Sequence, residues 1–112
     1  MRGVQRLRDR RDFARVYARG KPFRNELLVL RALPSGRGSR FGFTANKTLG
    51  TAVVRNRIKR RLREAARSLG CAEGWDVVVN ARPGAATASY DQLHIAMSNL
   101  MNRAGVEFEE QA

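Results

Sequence analysis

The chain has 112 residues, enough for one domain and too few for two. Hydrophobic residues make up 43% of it, so it can build a core, and wholesale disorder is excluded. The formal net charge is +12 and lopsided: residues 1–67 hold 20 bases and 4 acids, residues 68–112 hold 2 and 6. A field of that sign favours a polyanion, because each phosphate contact releases condensed counterions.

In chain order, Asp9 to Arg19 reads as a helix, with Asp9 as N-cap and Gly20 as its stop. Phe13, Val16 and Tyr17 share one face of it, flanked by Arg10, Arg11, Arg15 and Arg19. A short strand is expected near Phe23, and a firmer one at Leu27 to Leu33, whose near-continuous apolar run implies burial on both faces. Pro34 to Ser39 is a turn by composition, and Arg40 to Ala45 resumes a strand with Phe41 and Phe43 on one side. Gly42 leaves the opposite side open. Asn46 to Gly50 reads as a loop and Thr51 to Leu69 as a helix closed by Gly70. Trp75 to Ala81 is a β-branched strand, and Arg82 to Ala88 a loop. Ser89 with Gln92 makes a capping-box pattern for a last helix that carries Leu93, Met97, Leu100 and Met101 and stops at Gly105. The tail Val106 to Ala112 is acidic. This order, αβββαβα, predicts one α+β domain over residues 1–112, with three helices on a mixed sheet of about four strands.

Within Thr51 to Leu69 the side chains sort sharply on a helical wheel of about 100° per residue. Ile58, Leu62, Ala65 and Leu69 fall in one wedge that must face the core. Arg55, Lys59, Arg63 and Arg67 run beside it at i+4 steps, with Asn56 and Arg60 on the outer side and Arg57 and Arg61 at the other edge. A solvated face normally mixes charges, yet Glu64 is the sole acid between Arg55 and Arg67. Like charges at i, i+4 each cost a few tenths of a kcal/mol, which a nucleic-acid ligand would offset.

The aromatic residues form a second constellation. If Phe13 and Tyr17 face Phe41 and Phe43 across a groove flanked by Arg11, Arg15 and Lys21, they make a stacking platform for a single strand. The competing reading makes the same rings plain core.

Catalytic equipment is sparse. His94 is the one histidine, the carboxylates are scattered, and no Walker loop or zinc spacing occurs, so neither catalytic residues nor a metal site is expected. The single cysteine, Cys71, allows no internal disulfide and suits a reducing, cytoplasmic setting. The apolar runs, such as Leu27 to Leu30, are too short to cross a membrane, and no signal peptide is read at the basic N-terminus.

From Asn46 to Arg67 the sequence NKTLGTAVVRNRIKRRLREAAR resembles the signature of the protein subunit of bacterial ribonuclease P. The matching positions are Lys47, Gly50, Ala52, Val53, Arg55, Asn56, Arg57, Lys59 and Arg60. The basic leader with DFARVYARGK, the Ala81-Arg82 pair after a strand, and Tyr90 opening a leucine-spaced helix extend the resemblance over about residues 5–104.

The resemblance implies a protein that assists a catalytic RNA in removing the 5′ leader from precursor tRNA. The Mg2+ of that enzyme would be held mainly by the RNA, and the protein would be a monomer in a 1:1 complex. It implies that Asn46, Lys47, Arg55, Asn56, Arg57, Lys59, Arg60, Arg61, Arg63 and Arg67 bind the ribozyme RNA. A central cleft would hold the single-stranded leader, drawing on Arg11, Phe13, Arg15, Tyr17, Lys21, Leu30 and Phe43. Leu30 stands where many members place a cleft aromatic, and Asn46-Lys47-Thr48 replaces a frequent Ser-Lys-Lys. The resemblance also implies a left-handed crossover in the strand–helix–strand unit from Arg40 to Ala81, against the usual right-handed rule. The alternatives are a ribosomal or other structural RNA-binding protein and a DNA-binding regulator, the latter usually needing a dimer.

Overall fold

A computed structural model describes residues 5–70 and 74–106. Cys71 and the acidic tail beyond Val106 lie outside the described residues. The elements are β1 (Gln5–Arg6), α1 (Arg10–Arg19), β2 (Lys21–Arg24), β3 (Leu28–Pro34), β4 (Arg40–Thr44), α2 (Ala52–Leu69), β5 (Trp75–Ala81) and α3 (Tyr90–Ala104). Short 3-10 turns at Lys47–Leu49 and Pro83–Ala86 interrupt the two loops that flank the α2–β5 segment.

The strands form one sheet in the order β1-β4-β5-β3-β2. It has five strands, not the expected four. The addition is β1, which runs parallel to β4 with Gln5 opposite Arg40 and Arg6 opposite Phe41. Two exposed polar residues carry no two-residue alternation, so only the pairing defines this strand. β4 runs parallel to β5, while β5–β3 and β3–β2 are antiparallel. β4, α2 and β5 therefore form a parallel crossover unit between neighbouring strands.

Pleating divides the sheet into two unlike faces. Leu28 and Leu30 of β3, Phe41 of β4, and Val77 and Val79 of β5 point to one side. There they pack against Ile58, Leu62, Ala65 and Leu69 of α2 and Leu93, Met97, Leu100 and Met101 of α3. Both helices bury the stripes their spacing predicts. On the reverse face the core is small: Val78 meets Val16 of α1 and Leu7, with Phe13 and Leu33 at its margin. Among the described helices only α1 lies on that face, and it covers part of it.

Local signals set the helix ends. The Asp9 carboxylate accepts the Arg11 backbone N–H at 2.9 Å, a cap worth about 1 kcal/mol. Thr51 caps α2 through Val54, and Ser89 and Gln92 close the capping box of α3 at 3.1 and 2.9 Å. Gly20 does end α1, but by crowding and not through a left-handed turn. Its φ is −78°, and a Cβ there would stand 2.7 Å from the Val16 carbonyl oxygen.

Candidate nucleic-acid interface

The groove lies on the reverse face, beside α1. Phe13 projects from α1 onto Gly42 so closely that a Cβ on residue 42 would be 2.3 Å from its ring. The side left open by Gly42 is where an aromatic ring of α1 sits. One turn further, Tyr17 is 43% exposed, with the Arg31 guanidinium 5.0 Å from its ring centroid. The Asn80 amide donates to the Tyr17 hydroxyl at 2.6 Å and also to the Thr44 hydroxyl, while its oxygen accepts from Arg31 at 3.2 Å. Tyr17, Arg31, Thr44 and Asn80 thereby form a polar, aromatic floor that is only partly covered.

Alongside this floor lies an ion-pair network. Asp76, fully buried, accepts from Arg15 at 2.8 Å and from Arg40 at 2.8 and 3.0 Å. Asp12 accepts from Arg40 at 3.0 Å and from Arg15 at 3.2 Å. The Arg40 hydrogen bond, reinforced by the charges of Arg40, Arg15 and Arg37, holds the Asp12 carboxyl below its ordinary pKa despite some burial. The bond to Asp76 in turn raises Arg40. The network clamps α1 to β4 and β5.

Several expected cleft residues sit elsewhere. Leu30 and Phe43 are on the opposite face, Leu30 fully buried and Phe43 packed at the edge of the same core. In a strand, one residue decides the face, so it is Arg31 and not Leu30 that reaches the groove. Lys21 is paired with Ala32 in register, and its ammonium lies 5.5 Å from the Phe23 ring on the α3 side. Arg15 borders the groove, but its charge is taken up by Asp12 and Asp76. Arg11 is almost wholly exposed beside Asp9. Phe13 and Tyr17 border the groove, but they do not face Phe41 and Phe43, which lie on the opposite side of the sheet. Arg31, Thr44 and Asn80 were not legible from spacing, since polar residues on strands at remote positions give no local signal.

The second surface is α2. Asn56, Arg60 and Arg67 are exposed, and Arg55, Lys59 and Arg63 half-buried along the helix flanks. Arg57 and Arg61 are partly structural: they donate to the carbonyls of Ala86 and Ala88 at 3.1 and 3.0 Å, tying α2 to the segment before α3. Asn46 caps the following turn through the Thr48 N–H, with Lys47 exposed beside it. Burial and the neighbouring charges of Arg6 and Arg67 lower the pKa of Arg63. Among the described residues no carboxylate forms an ion pair with any base of α2.

Among the described residues no three His, Cys, Asp or Glu side chains gather, and Asp12 and Asp76 are already engaged by arginines. His94 is placed against the Tyr90 ring and within 3.4 Å of the Ser68 hydroxyl at the C-terminal end of α2. No described helix is long and apolar enough to cross a membrane.

The family model described as Ribonuclease P matches residues 1–105. Among curated relatives, the ribonuclease P protein component of Herpetosiphon aurantiacus is 43% identical over 107 residues, covering 93% of this chain and 87% of that protein. That of Roseiflexus castenholzii is 44% identical over 110 residues, covering 95% and 90%. Among solved structures, the RNase P protein of Staphylococcus aureus superposes with a TM-score of 0.81 at 28% identity, covering 92% of this chain and 97% of that one. The Thermotoga maritima RNase P protein gives 0.77 at 30% identity, covering 88% and 96%.

Proposed function

Because the chain belongs to the ribonuclease P protein family and is the protein subunit of that tRNA-processing ribonucleoprotein, we propose that it divides its RNA contacts between two surfaces. In this reading α2, with Asn46 and Lys47, docks on the catalytic RNA. The groove beside α1 holds the single-stranded 5′ leader of precursor tRNA, which leaves the chemistry to the RNA and its Mg2+. The protein acts as a monomer in a 1:1 complex in the cytoplasm.

The observation that carries the reading is the partition of charge. Arginines around the groove's inner end are neutralised by Asp12 and Asp76, whereas those of α2 have no carboxylate partner among the described residues. An unpaired basic helix suits the phosphates of a folded RNA, which positions without reading sequence. The groove instead offers Phe13 and Tyr17 as ring faces and Asn80, Thr44 and Arg31 as hydrogen-bonding groups, equipment for unpaired bases. The chain's own residues would bind and orient; with Asp12 and Asp76 ion-paired, neither groove carboxylate is placed to act as a metal ligand or general base.

Cleavage of a precursor tRNA by the catalytic RNA at low magnesium, with and without this chain, tests the reading. Strong stimulation that depends on the 5′ leader is expected. Stimulation that is indifferent to the leader would remove the groove from the mechanism.

A further inference from the structure

The floor of the groove has a fixed hydrogen-bond polarity. Asn80 of β5 is in register with Thr44 of β4, and Arg31 of β3 is paired with Val78, two residues back on β5. All three side chains therefore emerge on the face that α1 partly covers. An asparagine amide can be turned either way, and here Arg31 decides which. A guanidinium only donates, so the atom 3.2 Å from its Nη1 must be the amide oxygen. The amide nitrogen then donates to the Tyr17 hydroxyl at 2.6 Å and to the Thr44 hydroxyl. Both hydroxyl oxygens are thereby used as acceptors, and among the described residues nothing accepts their protons.

Those protons are left to the groove, and so is most of the Arg31 fork. Asn80 engages one of its N–H groups, and no carboxylate pairs with it among the described residues. The guanidinium lies 5.0 Å from the Tyr17 ring centroid, which restricts its swing. This network is not what holds α1, because Asp12 and Asp76 already clamp that helix through Arg15 and Arg40.

A base resting on this floor meets donors, while the one amide oxygen is turned to Arg31. Bases differ in how they answer that pattern. Guanine sets two acceptors side by side, N7 and O6, and an arginine fork matches them. Adenine sets N7 beside an amino group and is matched by a free asparagine amide, but this amide is engaged. An amino group placed among donors gives up water and gains no partner. We propose that Arg31, oriented by Asn80, selects a guanine at one position of the bound single strand. Arg31 donates to N7 and O6, Tyr17 and Thr44 present their protons beside it, and Asn80 is the positioning residue that sets this polarity. This selection rests on the leader reading of the groove and adds a base preference to it.

Holoenzyme assembled at saturating protein is given precursor tRNAs with an all-adenine leader, or with one guanine at each leader position in turn. Affinity is measured for each of them and for mature tRNA. At one leader position guanine is expected to bind roughly tenfold more tightly than adenine. Inosine there keeps N7 and O6 and should match guanine within about twofold, whereas 7-deazaguanine lacks the N7 acceptor and should bind roughly threefold more weakly. Arg31→Lys keeps the charge and loses the fork, and the new carboxylate of Asn80→Asp accepts from both hydroxyls and turns their protons inward. Either variant should bring the guanine-to-adenine ratio to within about twofold. The two leaders carry the same charge, so the ratio does not respond to a general change in electrostatic affinity. If N80D does not fold, Tyr17→Phe removes one oriented proton and keeps the ring, and a ratio roughly twofold lower is still expected.

Inosine binding like adenine, or a preference that survives both variants, would overturn the assignment to Arg31 and Asn80. No preference at any position, with precursor still bound more tightly than mature tRNA, would overturn the base selection and leave the leader in the groove. Equal affinity for precursor and mature tRNA would instead bring down the leader reading, and the base selection with it.

Discussion

Two groups of arginines in this molecule look alike in the sequence and do opposite work. Arg15 and Arg40 converge on the buried Asp76, share Asp12, and hold α1 against the sheet. Arg60 and Arg67 on α2 are exposed, with no carboxylate partner among the described residues. The first group is internal structure; the second is open to a ligand. A count of bases therefore says that a polyanion is bound, and only the pairing of those bases says where.

The largest effect expected from breaking this contrast is at Asp76. Removing the carboxylate in Asp76→Ala leaves Arg15 and Arg40 only Asp12 as a partner at the α1–sheet junction, and a loss of about 3 kcal/mol is expected in denaturant unfolding. RNA binding by the fraction that stays folded should change little. The converse variant, R60E/R67E, should leave the unfolding midpoint within error and lower the salt slope of catalytic-RNA binding by about two. Arg57 is a poorer choice for that test, because it also donates to the Ala86 carbonyl and its loss would mix binding with stability.

A smaller effect sharpens the contrast at the groove. Gly42→Ala drives a methyl group into the Phe13 ring, at 2.3 Å before relaxation, and should cost about 1–3 kcal/mol while displacing that ring. Unfolding and precursor binding should both register it. The smallest is a pH effect. The Asp12 pKa is lowered in the folded state, so its contribution is complete above the ordinary value of 3.8 and is lost as pH falls through the lower folded value. Thermal unfolding of the wild type should therefore show an acid decline below that point which is shallower in D12N.

The helices were the most legible part of the fold. α2 and α3 announce themselves by apolar stripes at helical spacing and by Thr51, Ser89 and Gln92 at their starts, all local signals. β5 is legible as a run of valines. β1 is not, because two exposed polar residues acquire meaning only from a partner about 35 positions away, as Gln5 does from Arg40.

The candidate site divides the same way. The bases of α2 lie on one helix and could be placed on its wheel, and Phe13 and Tyr17 likewise on α1. The alternation in β4 put Phe41 and Phe43 on a common side, yet nothing local says which helix covers that side. Leu30 and Phe43 went to the core, while Arg31 and Asn80 came to the groove. Nor could spacing have joined Arg15 to Asp76, 61 residues apart, or Arg40 to the same carboxylate, 36 apart. Long-range polar pairing is the step at which a single sequence ceases to be informative.

The division of labour between α2 and the groove is tested most directly by the ratio of precursor to mature tRNA affinity, measured on holoenzyme assembled at saturating protein. The wild type should favour the precursor. R60E/R67E, once saturated, should keep that ratio, and Tyr17→Ala should bring it down by the roughly 1–3 kcal/mol expected of one stacked base. A ratio unchanged in Tyr17→Ala, or equally reduced in both variants, would contradict the assignment of the leader to the groove.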